Sequence, residues 1–323
     1  MSSDTDKKFP YKIEKLPKEK NKEILDYYGE SIPLKFIQVG PKRYFLVEDF
    51  MAEEIYNFPV NSSDVFVASF PKSGTTWTQE LVWLLENGLD YDTAKSTSLA
   101  KRFPFLEISM FPAMEKPIYP LTIDDIRKMP SPRYIKTHLP LSLLPLNLLD
   151  KTKVVYIARD PRDVAISFFH HNRLMRIMSQ NTDFKTYWNY FINNEVLWAP
   201  YFAHVLEAWE KRNHPNLLFL FYEELSKDLP AVIRRVAKFL GKEVTEEQVQ
   251  KLNEHLDFKN FKKNKTVNFE EFQESGVFTK GSGFVRRGKV GGWRDDFDEE
   301  MTEQAEKWIA DNLRGTDFRF PHF

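Results

Sequence analysis

The densest phosphate-binding chemistry in this chain lies at Phe70-Pro71-Lys72-Ser73-Gly74-Thr75-Thr76-Trp77. Lys72 brings a full positive charge, and Ser73, Thr75 and Thr76 bring hydroxyl donors. Gly74 lets the main chain come close to a ligand. A helix starting here would add free N–H groups and a partial positive charge, which together bind anions. The stretch is not a Walker A loop, which needs a second glycine and carries its Lys near the end. Taken alone, it also suits an ordinary capped helix start.

Three further segments carry usable groups. In Tyr156-Ile157-Ala158-Arg159-Asp160-Pro161-Arg162-Asp163, Arg159 offers a planar fork for a phosphate, and Ser167 follows about two helical turns later. A surface Arg–Asp network is the competing reading. Phe284-Val285-Arg286-Arg287-Gly288-Lys289-Val290-Gly291-Gly292-Trp293 sets Arg286, Arg287 and Lys289 among glycines, and fits either an anion clamp or an open basic loop. Lys136-Thr137-His138 follows an apolar run and places a histidine where a general base could act, although a lone histidine is often structural. The doublet His170-His171 lacks the spacing of a metal-binding helix and reads as packing or pocket lining.

These groups need elements to hold them. Asp64 to Phe70 reads as a buried strand, and Thr76 to Asn87 as a helix with Trp77, Leu81, Leu84 and Leu85 on one face. Short apolar runs at 133–136, 153–158 and 217–221 read as parallel strands covered on both faces. Between them lie helical patterns: one capped by Asp160 with Pro161 at its first position, one from Val232 to Leu240 before Gly241, and one opened by the capping box at Thr245 to Gln248. A last amphipathic helix carries Met301, Ala305, Trp308 and Ile309. The alternation predicts an α/β fold with a central parallel sheet flanked by helices and a P-loop-like strand–loop–helix. One domain over 1–323 is expected, with residues 1–30 draped over the surface.

Composition sets the outer bounds. The chain has 323 residues, a formal net charge of −1 and no cysteine. Disulfides and thiolate metal sites are therefore excluded, and no global field draws the protein to nucleic acid or an anionic membrane. The first residues are polar and no apolar run is long enough to span a bilayer, so a cytoplasmic location is expected. The 28 phenylalanines suit a dense core and, as a set, a cavity for a flat apolar ligand.

Taken together, the four segments resemble the cytosolic sulfotransferase family, in order and over most of the chain, from residue 64 to 293. Pro71 to Trp77 resembles its 5′-phosphosulfate loop and Arg159 to Ser167 its 3′-phosphate motif. Arg286 to Trp293 resembles its closing loop, and Lys136-Thr137-His138 the segment with its catalytic histidine. The resemblance implies 3′-phosphoadenosine 5′-phosphosulfate (PAPS) as donor, its product PAP, and no metal. It places Lys72, Ser73, Gly74, Thr75 and Thr76 on the 5′ group, and Trp77, Tyr222, Leu256 and Phe258 near the adenine. Arg159, Ser167, Val285, Arg286, Arg287 and Gly288 fall on the 3′-phosphate. His138 would be the base, with Lys72 and Lys136 beside the sulfonate. Phe105, Ile108, Phe169 and His171 are the expected wall of an acceptor pocket.

Three positions depart from the family pattern. Arg287 stands for its lysine, Gly292 for its aspartate, and Leu256 for a frequent threonine. Lys262, Thr266, Val267 and Glu271 match the spacing of the family's dimer motif and imply a homodimer. The expected partner is a small hydroxyl-bearing acceptor. Some insect members, similar across Asp64 to Leu81 and the C-terminal helix, are retinol dehydratases that act through a transient sulfonate ester; this is the alternative activity. A P-loop kinase is disfavoured by the missing Walker spacing, and a non-catalytic nucleotide-binding module by the retention of Lys72, Lys136 and His138.

Overall fold

The computed structural model describes residues 7–28, 35–110, 121–268, 274, 278 and 284–321. Its seven named strands are β1 (Ile13–Lys15), β2 (Phe36–Val39), β3 (Tyr44–Val47), β4 (Val65–Ala68), β5 (Tyr134–Thr137), β6 (Lys153–Ala158) and β7 (Leu217–Phe221). The last four form one parallel sheet in the order β5-β4-β6-β7. β4 comes first in the chain yet sits inside the sheet, with β5 on one side and β6 on the other. The chain therefore reverses direction across β4, and in open α/β sheets ligands bind in the crevice outside the carboxyl ends of the strands at such a point.

Both faces of this sheet are covered, so its strands read as continuous apolar runs. Alternate residues enter different cores: Val65, Val67, Val155 and Ile157 pack on one side, Phe66, Ala68, Val154 and Tyr156 on the other. Asp64 and Arg133 close the opposite end of the strands as a buried pair, Nη2 to Oδ2 at 2.6 Å. No polar ligand is needed at that end.

The helices start and stop where local chemistry dictates. Asp160 caps the helix Pro161–Leu174 by accepting from the Arg162 N–H. Thr245 and Gln248 form the capping box of Glu246–Leu256. Gly241 ends Leu229–Leu240 in the left-handed conformation.

The N-terminal segment departs from expectation. Residues 7–28 do not drape over the surface. β1 pairs antiparallel with β2, β2 pairs with β3, and the helix Lys18–Tyr28 buries Ile24, Tyr27 and Tyr28 in the core. Lysines and glutamates on the exposed face dominate the composition there and conceal a narrow apolar stripe on the other.

Candidate active site

The carboxyl ends of the four parallel strands deliver the chemistry. The loop to Lys72 follows β4, His138 follows β5, Arg159 follows β6, and Tyr222 follows β7; Lys72, His138, Arg159 and Tyr222 all line one cavity. After β4 the chain turns sharply into the helix Thr75–Glu86. Gly74 makes that turn with φ +111°, and a Cβ there would lie 2.7 Å from the Tyr222 ring. Lys72 itself has φ +65°, a conformation that costs a side-chain-bearing residue about 1–3 kcal/mol. Ser73 is fully buried and its Oγ has no partner among the described residues. Trp77 donates from Nε1 to the Leu256 carbonyl at 2.9 Å, and its ring lies 5.6 Å from that of Tyr222.

Arg159 is held over the Tyr222 ring at 4.1 Å and donates to the Lys289 carbonyl at 3.0 Å, while its Nε is buried without a partner among the described residues. It also lies 3.6 Å from Asp163. The Asp163 carboxylate accepts the N–H groups of Gly291 and Trp293 at 2.8 and 2.9 Å, and Arg162 stacks on Trp293 at 3.9 Å. The basic loop is therefore tied to the helix that starts at Pro161, and Gly292 does not leave it without a carboxylate anchor. Gly288 has φ +63°, and a Cβ there would fall 2.1 Å from the Phe258 ring.

Residues 262–268 brace the same loop. Lys262 donates to the Arg286 carbonyl at 3.0 Å, and Asn268 Oδ1 accepts from the Val285 N–H at 3.3 Å. Val267 is fully buried within its own chain. Glu271 lies outside the described residues.

Charge in the cavity is lopsided. Lys72, Lys136, Arg159, Arg286, Arg287 and Lys289 line it, against the carboxylate of Asp163. Burial, with Lys136, Arg159 and Arg286 nearby, pulls the Lys72 ammonium down to about 7. Burial pulls Lys136 down to about 8. Cations crowded in this way gain from any anion that enters.

At the other end His138 is buried and neutral. Its Nδ1 lies 2.9 Å from the Ser69 carbonyl, so Nδ1 must carry the proton and Nε2 keeps its lone pair. Burial, and then Lys136, hold its pKa well below the ordinary histidine range. Aromatic rings continue the wall: His138 to Trp198 at 5.5 Å, Trp198 to Phe168 at 6.1 Å, Phe168 to His171 at 6.4 Å, and His171 to Phe284 at 5.6 Å. Lys72 Nζ sits 4.0 Å over the Phe284 ring and closes the circle.

Most of the expected site residues line this cavity, including Gly74, Thr75, Thr76, Trp77, Phe105, Ile108, Lys136, Ser167, His171, Phe258 and Val285 to Gly288. Ser73 and Leu256 lie behind it, Leu256 offering its carbonyl to Trp77. Phe169 is not on the wall. It packs against Phe184 and Tyr187, and Phe168 faces the cavity instead. One helical residue turns a side chain by about 100°, and sequence alone did not fix that phase. Sequence reasoning also missed Asn172, Met175, Ile177, Trp198 and Phe278, which lie outside the four motifs, Ile166 and Phe284, which are apolar members of two of them, and Asp163, which looked like surface charge.

Comparison with known proteins places this geometry. Residues 62–317 match the family model described as "Sulfotransferase domain". Luciferin sulfotransferase of Photinus pyralis is 36% identical, covering 93% of this chain and 88% of its own length. A crystal structure of retinol dehydratase with androsterone and the inactive cofactor PAP is 45% identical, with TM-score 0.92 and coverage of 98% of this chain and 99% of that one. A second, with retinol and PAP, gives TM-score 0.91 at 45% identity, covering 97% and 99%.

Proposed function

The chain belongs to the sulfotransferase family as a PAPS-dependent enzyme, and on that footing we propose that it moves a sulfonate onto a hydroxyl of a small apolar acceptor, with His138 as general base. The observation that carries this reading is one cavity with a crowd of cations at one end and a neutral, correctly protonated histidine among aromatic rings at the other. The Arg159 Nε, without a partner among the described residues and on a side chain that lines the cavity, fits a phosphorylated nucleotide. Lys72, Ser73, Gly74, Thr75 and Thr76 would hold its 5′ end. Trp77, Tyr222, Phe258 and the Leu256 carbonyl would frame its base, and Arg159, Ser167 and residues 285–288 its 3′-phosphate.

PAPS supplies the sulfonate and a phosphate leaving group. His138 Nε2 accepts the proton of the acceptor hydroxyl. Lys72 and Lys136 hold positive charge where negative charge grows, the kind of preorganised electrostatics that dominates many enzymes. Phe105, Ile108, Phe168 and His171 exclude water and orient the acceptor.

Two further parts of the reading are separable. The 45% identity to retinol dehydratase favours a second outcome on allylic alcohols, in which the ester loses sulfate and a proton to give an alkene. A homodimer through 262–271 would have to use exposed Lys262 and half-buried Thr266, because Val267 is spent inside the chain. The deciding experiment is labelled PAPS against phenols, steroids, retinoids and simple alcohols. Label should appear on at least one acceptor, or as free sulfate with alkene from retinol. Tight PAP binding with no transfer to any of them would overturn the catalytic reading.

A further inference from the structure

His138 is held at more points than its side chain. Its position is set by a short pairing that runs beside β5. The Lys136 N–H donates to the Pro104 carbonyl at 2.8 Å, and the Leu106 N–H donates to the Lys136 carbonyl at 2.9 Å. Residues 104–106 thus pair parallel with β5, and Phe105 bridges Lys136. The next rung of a parallel ladder would take the His138 N–H to the Leu106 carbonyl. The chain instead turns into the short helix Ile108–Met110, and the Glu107 carboxyl takes that rung, with Oε1 accepting the His138 N–H at 2.5 Å. On the other side of the peptide, His204 Nε2–H donates to the His138 carbonyl at 2.8 Å. Tyr156 O–H fixes that tautomer by donating to His204 Nδ1 at 2.7 Å.

We infer that Glu107, with His204 as its counterpart, is a positioning residue for sulfonate transfer: it fixes the main chain of His138 so that Nε2 is presented to the cavity. The inference rests on the reading of His138 as base. Glu107 is 1% exposed and does not line the cavity, so it touches neither nucleotide nor acceptor. A buried carboxyl is a costly choice for a purely structural contact, because burial penalises its charge more than the His138 N–H and the Thr137 side chain relieve it. Burial lifts its pKa to about 7, and it can accept the His138 N–H in either protonation state. A neutral acceptor of the same length should therefore serve as well.

The test is a double-mutant cycle with Glu107→Met, Glu107→Gln and His138→Ala, reading kcat, acceptor KM and PAP affinity. Glu107→Met keeps the volume and removes the acceptor atom. It should lower kcat by about 10²-fold, the loss a misplacement of around 1 Å brings, with acceptor KM and PAP affinity within about threefold of wild type. Glu107→Gln should restore most of that kcat. In the His138→Ala background Glu107→Met should cost nothing more, because its effect passes through His138. An additive loss, or an equal loss in the Met and Gln variants, would overturn the inference and direct attention to the neighbouring Lys136. An unfolded Met variant would be recognised by lost PAP binding; the Gln variant then decides, since a Gln loss as large as that of His138→Ala overturns the inference and retained kcat supports it. If His138→Ala itself costs nothing, the base reading fails first, and the two failures are distinguishable.

Discussion

The two ends of the cavity are built from different material. The cationic end is made of element termini: a helix N-terminus after β4, Arg159 just beyond β6, and a basic loop tied down by Asp163. The acceptor end is made of side chains from scattered places, Phe105 and Ile108 beside β5, Phe168 to Ile177 along and just past one helix, Trp198 before another, and Phe278 and Phe284. Termini are fixed by the fold, so that end must work in one way. Apolar side chains can be exchanged for others of similar volume, so the acceptor end can change its ligand while the chemistry stays constant.

Breaking the cationic end should have the largest effects. Lys72→Met should lower turnover by at least about 10²–10³, as loss of a charge-stabilising donor usually does. Arg159→Leu should weaken PAP by about 10- to 100-fold, since each charge-assisted bond contributes about 1.5–3 kcal/mol. Affinity for the 3′-dephosphorylated nucleotide should hardly move, and calorimetry on both nucleotides separates the cases. Equal losses for the two would remove Arg159 from the 3′-phosphate.

A milder test uses pH. Lys72 and Lys136 titrate near 7 and 8 in the free protein. An entering anion raises both values, so binding takes up protons. Affinity should be greatest below about pH 7. It should fall by up to about tenfold per pH unit between about 7 and 8, where Lys72 loses its proton, and by up to about a hundredfold per unit above about 8, where both lysines do. Calorimetry at pH 8 in buffers of different ionisation enthalpy should show that uptake. Proton release would contradict the electrostatics described here. The smallest effects belong to the acceptor end: Phe105→Ala or Met175→Ala should shift preference among acceptors by about 1–3 kcal/mol and leave PAP affinity unchanged.

The same contrast explains what was legible in the sequence. The parallel sheet and phosphate loop were legible because strand, turn and helix N-terminus are contiguous and their residue types are forced, as Gly74 is by its close approach to Tyr222. The acceptor wall was partly legible. Phe105 and Ile108 were expected on the wall and are there, whereas Phe168 and Phe169 differ only in helical phase, and Trp198 and Phe278 come from distant segments. Glu107 gave no signal in the sequence; its role depends on a ladder that ends one residue early, which no local pattern encodes. The N-terminal strand and helix were hidden by surface lysines around Ile24, Tyr27 and Tyr28.

The central claim joins the two ends: His138, neutral and with Nε2 free, takes the proton of an acceptor held among aromatic rings. The most direct measurement is sulfonate transfer by wild type and His138→Ala across acceptors of graded hydroxyl pKa. A positioned base contributes about 10²–10⁴ in rate. The loss in His138→Ala should therefore be at least about 10²-fold for alcohols, should shrink steadily toward acidic phenols that ionise unaided, and should leave PAP affinity unchanged. A loss of the same factor for every acceptor would make His138 a group that only positions the substrate. No loss for any of them would contradict the assignment of the base outright.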